Sequence, residues 1–197
     1  MKPIKKLAML DLNGTVIKSR RDDGFVTTRD EWTWEDGAPE ALQLLANNGW
    51  MMAVVTNQPA EHRFPNVTHQ RMEYLMGYVR GAMEEVAQSA IPFFVCYHDV
   101  KHSCSCRKPQ PGALRRAFNY FCPGGGLTTE RDEWDVWMVG DKLSDIEAGE
   151  SFGANVCGVN STPLASLGGF QYRYRPTLLD AVKDILLCDR SPNEDLH

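Results

Sequence analysis

Four short segments gather the residue types that handle phosphate and divalent cations. They are Asp11-Leu12-Asn13-Gly14-Thr15, Thr56-Asn57-Gln58, Arg107-Lys108-Pro109 and Gly140-Asp141-Lys142-Leu143-Ser144-Asp145. Two carboxylates, Asp11 and Asp141, can hold Mg²⁺ through oxygen. The Thr56 hydroxyl, the Lys108 ammonium and backbone N–H groups can neutralise phosphate oxygens. Asp11 can then attack phosphorus and carry an aspartyl-phosphate. Such an attack needs a cation, because an anionic carboxylate must approach an anionic phosphate.

A second cluster reads Cys96-Tyr97-His98 and Cys104-Ser105-Cys106, a Cys-x-His-x₅-Cys-x-Cys pattern. Three thiolates and an imidazole make a closed tetrahedral set suited to structural Zn²⁺. A closed set leaves no open coordination position, so no catalytic role is expected of it. His102 is the competing nitrogen ligand and ranks second. Cys122, Cys157 and Cys188 lie scattered and read as small apolar residues or free thiols.

The elements that must position these groups alternate in type. Short apolar runs at 7–10, 51–55, 92–96, 135–139 and 155–159 read as buried strands. Helical patterns occupy about 39–48, 68–88, 111–121, 145–152 and 178–187. Residues 15–37 are polar with two tryptophans and read as a turn or hairpin excursion, a short flap. Alternation of this kind predicts an α/β fold with a parallel sheet and right-handed crossovers. Ligands of such sheets sit beyond the carboxyl ends of the strands, and Asp11, Thr56 and Asp141 all fall there.

Composition bounds the rest. With 197 residues and 43% apolar content, the chain can bury a core as one domain, expected over 1–188 with a polar tail at 189–197. A net charge of −5 argues against a generic nucleic-acid binder. No apolar run approaches membrane-spanning length, and the one near the start stops at Asp11, too short for a signal peptide. A cytoplasmic, soluble monomer with no membrane partner is expected.

Taken in order, the four segments resemble the motifs of the haloacid dehalogenase-like (HAD) phosphohydrolases, over residues 7–159. The resemblance implies a Rossmann-like three-layer sandwich. It implies Asp11 as nucleophile, Thr56 and Lys108 on the phosphate, and Mg²⁺ held by Asp11, Asp141 and the main-chain carbonyl of Asn13. Asp145 would brace the metal shell from behind. Asn57 and Gln58 would lie on the substrate. No stretch between motifs is long enough for a large cap domain, so the site is expected to be capless and open.

One position departs from the family. The phosphatases carry Asp two residues after the nucleophile, and here it is Asn13. That Asp protonates the leaving oxygen and then activates water, which an amide cannot do at neutral pH. Asn13 therefore reads as an inactivating or substrate-trapping substitution, as the mark of a slow enzyme or phosphotransferase, or as the sign of a binding protein on the same scaffold.

The cysteine loop directly before Arg-Lys-Pro resembles the zinc-loop branch that contains heptose bisphosphate and histidinol-phosphate phosphatases. By that resemblance Arg107 and Lys142 are further substrate contacts, and the substrate is a phosphorylated sugar or related small metabolite. Leu12 replaces the branch's usual charged residue, and 59–66 lacks its glycine-containing turn. A polynucleotide 3′-phosphatase acting on nucleic-acid ends is the alternative, suggested by Asp-Leu-x-Gly-Thr and the polar flap. Phe25, Trp32 and Trp34 could stack on a base or sugar, but packing the flap on the core is the expected role of all three. Lys18, Arg20, Arg21, Arg173 and Arg175 are the basic candidates; the last two are expected on an edge strand. His62 and His69 read as surface residues.

Overall fold

The computed structural model describes residues 4–58, 64, 67–123, 133–161, 164 and 172–189. The strands are β1 (Lys5–Leu10), β2 (Ile17–Ser19), β3 (Trp32–Trp34), β4 (Met51–Asn57), β5 (Phe93–Cys96), β6 (Trp134–Gly140), β7 (Asn155–Val159) and β8 (Arg173–Arg175). The α-helices are α1 (Ala38–Asn47), α2 (His69–Ala87), α3 (Gly112–Phe121), α4 (Leu143–Phe152) and α5 (Leu178–Asp189).

Six strands form one sheet in the order β5-β4-β1-β6-β7-β8, and every pair is parallel. A parallel sheet covered on both faces needs continuous apolar strands. β1 shows why the sequence satisfies this. Ala8 and Leu10 point into a core shared with α1, α2 and α5, while Leu7 and Met9 point into one shared with α3 and α4. The period-two alternation thus feeds two cores, giving three layers.

The flap is an antiparallel hairpin of β2 and β3, with Ile17 opposite Trp34 and Ser19 opposite Trp32. Trp32 meets Trp34 edge-on at 5.3 Å and Tyr78 of α2 at 6.4 Å. Both tryptophans pack against the α1–α2 core, the structural role expected of them. Arg173 and Arg175 lie on the edge strand β8, and both pair with Asp184 of α5, at 3.1 and 2.8 Å.

Several boundaries shift. β4 runs on through Thr56 to Asn57, and α4 starts at Leu143 rather than Asp145. Asp145 is the third residue of α4, and its carboxylate accepts the Lys142 backbone N–H at 3.0 Å, capping the helix from inside. His62 and all of segment 59–66 except Phe64 lie outside the described residues, as does the tail beyond Asp189. His69 opens α2, pairs with Glu73 at 3.2 Å and lies edge-on to Tyr97. No helix among the described residues is long and apolar enough to cross a membrane.

Candidate active site

The carboxyl ends of β1, β4 and β6 form the floor of a cavity of about 580 Å³. Its walls include Lys18, Asp23, Phe25 and Glu35 of the flap, Val100 and Arg107 of the cysteine loop, and Lys142. Beyond Leu10 the Asp11 N–H donates to Val139 at 2.9 Å, extending the β1–β6 ladder by one residue. The chain then turns sharply: Val16 and Ile17 both donate to the Leu12 carbonyl, at 2.9 and 3.0 Å. Gly14 has φ +89°, and a Cβ there would run into the Asp141 carboxylate, so the turn needs glycine twice over. Asn160, after β7, donates to the Gly14 carbonyl at 3.0 Å and steadies the same turn.

Lys108 is buried at the centre. Its ammonium donates to Asp11 Oδ1 at 2.6 Å and to the Val55 carbonyl at 2.6 Å, and pairs with Asp145 Oδ1 at 2.7 Å. Those three partners take all three of its donors. Asn57 fixes the lysine's backbone: its Nδ2 donates to the Lys108 carbonyl at 3.0 Å and its Oδ1 accepts the Lys108 N–H at 3.1 Å. Both ends of the Asn57 carboxamide are therefore committed to holding Lys108, although substrate contact was expected of it. Asp145 likewise clamps Lys108 and the start of α4.

Gln58 donates its side-chain amide to Asn13 Oδ1 at 3.0 Å and to Thr56 Oγ1 at 3.1 Å. Arg107 donates to the His98 carbonyl at 2.9 Å and to the Gln58 carbonyl at 3.5 Å, linking the cysteine loop to the cavity rim.

The three oxygens expected to hold Mg²⁺ face one point. Lys142 Nζ lies 3.1 Å from Asp141 Oδ1, 3.3 Å from the Asn13 carbonyl and 4.0 Å from Asp11 Oδ2. Asp11, Asp141 and Asp145 each bring a carboxylate oxygen within 4.8 Å of one another. An all-oxygen donor set of this kind suits a hard cation such as Mg²⁺. Burial, with the charge of Asp11 behind it, pushes the Asp141 carboxyl up to about 7. Burial also acts to raise Asp11, but Lys108 and Lys142 outweigh it and hold that carboxyl below its ordinary value. Burial works to strip the proton from Lys108, and Asp11 and Asp145 more than offset it, so the lysine stays charged.

The cysteine cluster has the dimensions of a small cation cage. Cys96 Sγ lies 3.7 Å from Cys104 Sγ and 3.4 Å from Cys106 Sγ, and Cys104 and Cys106 are 3.5 Å apart. His98 Nδ1 is 3.2 Å from Cys106 Sγ and 3.6 Å from Cys96 Sγ. Tetrahedral Zn–S bonds imply sulfur–sulfur edges of about 3.8 Å, so the four groups fit zinc closely. His102 stands apart from this set; its Nδ1 accepts the Asp99 N–H at 3.0 Å in a helical turn.

Every segment expected to carry chemistry thus reaches the one cavity. The sequence reading missed Glu35 as a wall residue and Asn160 as a support. No local pattern marks either, since both act across the fold.

Comparison with known proteins gives the family and the fold. Residues 105–179 match the family described as HAD-hydrolase-like. The D-glycero-beta-D-manno-heptose-1,7-bisphosphate 7-phosphatase of Pseudomonas putida is 31% identical over 151 residues, covering 76% of this chain and 79% of that protein. The protein of the same name from Neisseria meningitidis serogroup A is 32% identical over 154 residues, covering 75% and 73%. Among solved structures, the D,D-heptose 1,7-bisphosphate phosphatase of Bordetella bronchiseptica, complexed with magnesium and phosphate, superposes with a TM-score of 0.75 at 24% identity, covering 92% of this chain and 98% of that one. The fold is shared at that distance, and relatives above 30% identity extend over most of their own length. The chain belongs to the HAD-like phosphohydrolases.

Proposed function

We propose that this protein is a Mg²⁺-dependent phosphomonoester hydrolase acting through an aspartyl-phosphate on Asp11, with a phosphorylated sugar or related small metabolite as substrate. The observation that carries the reading is the convergence of Asp11 Oδ2, Asp141 Oδ1 and the Asn13 carbonyl on one cationic point within 4.0 Å. Mg²⁺ held there by Asp11, Asn13 and Asp141 would supply charge neutralisation between nucleophile and phosphate. Lys108 keeps Asp11 ionised and correctly turned. Thr56 and Lys142 line the same cavity and can meet phosphate oxygens. Zn²⁺ held by Cys96, His98, Cys104 and Cys106 would fix the loop that presents Arg107. A heptose bisphosphate is the first substrate to try, because relatives of this identity carry that name.

Asn13 stands where the family has its proton-transferring Asp, and it slows or traps the reaction at the aspartyl-phosphate. A nucleic-acid end is less well supported. Lys18 pairs with Asp36, Arg21 with Asp23 and Glu31, and Arg173 and Arg175 with Asp184, so four of the five basic candidates are neutralised locally, and the fifth, Arg20, donates to the Asp30 carbonyl.

The test is Mg²⁺-dependent phosphate release by the native chain beside Asn13→Asp, over heptose bisphosphate, other sugar phosphates, histidinol phosphate, nucleotides and a 3′-phosphorylated oligonucleotide. Release that rises by about 10²-fold or more with Asp supports the reading, on the usual worth of a general acid–base. No release by either form from any substrate, with Mg²⁺ bound, overturns it in favour of a phosphate-binding role.

A further inference from the structure

Asn13 cannot move a proton, yet hydrolysis requires one to reach the leaving oxygen and another to leave the attacking water. Five carboxylates line the cavity: Asp11, Asp23, Glu35, Asp141 and Asp145. Asp11 and Asp145 are clamped by Lys108, Asp141 by Lys142, and Asp23 by Arg21. Glu35 differs from these, since no hydrogen bond or ion pair to a described residue reaches its carboxylate. Its main chain is nevertheless fixed. The Glu35 N–H donates to the Val16 carbonyl at 3.0 Å, and its carbonyl accepts the Ala38 N–H at 3.0 Å. Val16 belongs to the same turn as Asn13, tied back to Leu12. The flap thus sets a half-buried carboxyl group, with no partner among the described residues, on the wall of the cavity that Asn13 also lines.

Resting on the hydrolase reading above, we propose that Glu35 is the proton-transfer residue of this site, standing in for the missing Asp at position 13. In the first step an Asp11 oxygen bonds to phosphorus, the bond from phosphorus to the leaving oxygen breaks, and that oxygen takes the Glu35 proton. In the second step the Glu35 carboxylate takes a proton from water as the water oxygen bonds to phosphorus. The bond from Asp11 to phosphorus then breaks, phosphate leaves, and Glu35 is protonated again. Burial and the neighbouring Asp36 raise the Glu35 carboxyl, against the pull of Lys18, in the direction a general acid requires.

The test compares Glu35→Gln in the native and Asn13→Asp backgrounds. In the native chain, kcat/KM for an alkyl phosphomonoester should fall about tenfold or more, while para-nitrophenyl phosphate, whose leaving group needs little protonation, loses about threefold or less. In the Asn13→Asp background the alkyl loss should also shrink to about threefold or less, because the family's acid is restored. Should Glu35→Gln fold poorly, Glu35→Ala supplemented with formate should regain turnover. Equal losses in both backgrounds or on both leaving groups, no formate rescue, or no measurable turnover by the native chain overturns the proposal. Phosphate release by neither the native chain nor Asn13→Asp would instead overturn the hydrolase reading, whereas an inactive native chain beside an active Asn13→Asp overturns only the role of Glu35, so the two failures are distinct.

Discussion

Gln58 donates to Asn13 Oδ1 at 3.0 Å, which turns the Asn13 Nδ2 away, without a partner among the described residues. A carboxylate at position 13 would accept the same hydrogen bond. Asn13→Asp is therefore expected to keep the site's geometry and to raise Mg²⁺-dependent phosphate release by about 10²–10⁴-fold. Steady-state kinetics on the best substrate of the panel checks this; a gain below tenfold would show that proton transfer at position 13 is not what limits the native chain.

Lys142 occupies the point on which the three oxygens converge, and its side chain is 59% exposed. A bound cation must displace the ammonium, which has room to swing toward solvent or phosphate. Lys142→Met should therefore bind Mg²⁺ more tightly, on the order of tenfold for removal of one partly screened charge. Calorimetric titration with MgCl₂ reads the change, and an unaltered or weaker affinity would refute the competition.

The Asp141 carboxyl, raised to about 7 in the absence of a cation, carries a proton at lower pH that Mg²⁺ must expel. Mg²⁺ affinity should rise about tenfold per unit up to about pH 7 and level off above it. The sign for folding follows from the same shift. The folded state binds this proton more tightly than the unfolded chain, so the metal-free protein loses that contribution as pH climbs from about 4 through about 7. Saturating Mg²⁺ should abolish that part of the slope in urea denaturation curves.

Replacing Lys108 by Met leaves Asp11 and Asp145, both almost fully buried, without their shared counter-charge. Breaking a buried pair in this way costs roughly 3–5 kcal/mol. Chemical denaturation of Lys108→Met should show a loss of that order, together with loss of turnover; a difference under about 1 kcal/mol would mean the triad is not buried in solution.

The cysteine cluster predicts an order of reactivity. Burial, followed by Cys96 and Cys104, pushes the Cys106 thiol up to about 12. Cys104 goes the other way: burial works to raise it, but hydrogen bonds from Cys106 and from the backbone at Arg107 bring it below the ordinary thiol value. In chelator-treated protein, iodoacetamide should label Cys104 before Cys106, and added Zn²⁺ should protect both. Peptide mapping by mass spectrometry reads the order; equal labelling with and without Zn²⁺ would rule out metal binding by this cluster.

The floor of the site was legible because three of the buried strands are short apolar runs that stop at Asp11, Thr56 and Asp141, and parallel sheets put those stops on one edge. The cage was legible from soft ligands crowded into one loop. The pairing of Asn57 with the Lys108 backbone was not, because it joins residues 51 positions apart through contacts with no periodic signature. Glu35 was hidden for a related reason: in sequence it is one acid in a polar flap, and only the β2–β3 pairing sets it beside the Asn13 turn. The start of α4 was misplaced by two residues because Asp145 caps from the third helical position.

The floor and rim of the cavity belong to different parts of the fold. Asp11, Thr56 and Asp141 stand at the ends of β1, β4 and β6, three adjacent central strands, whereas the flap is a two-stranded ribbon outside the main sheet and Arg107 rides on a loop. Amide hydrogens of the central strands should outlast those of the ribbon in exchange experiments by orders of magnitude. The molecule can then breathe at its entrance, admitting a substrate or releasing phosphate, while the groups that perform the chemistry keep their spacing throughout.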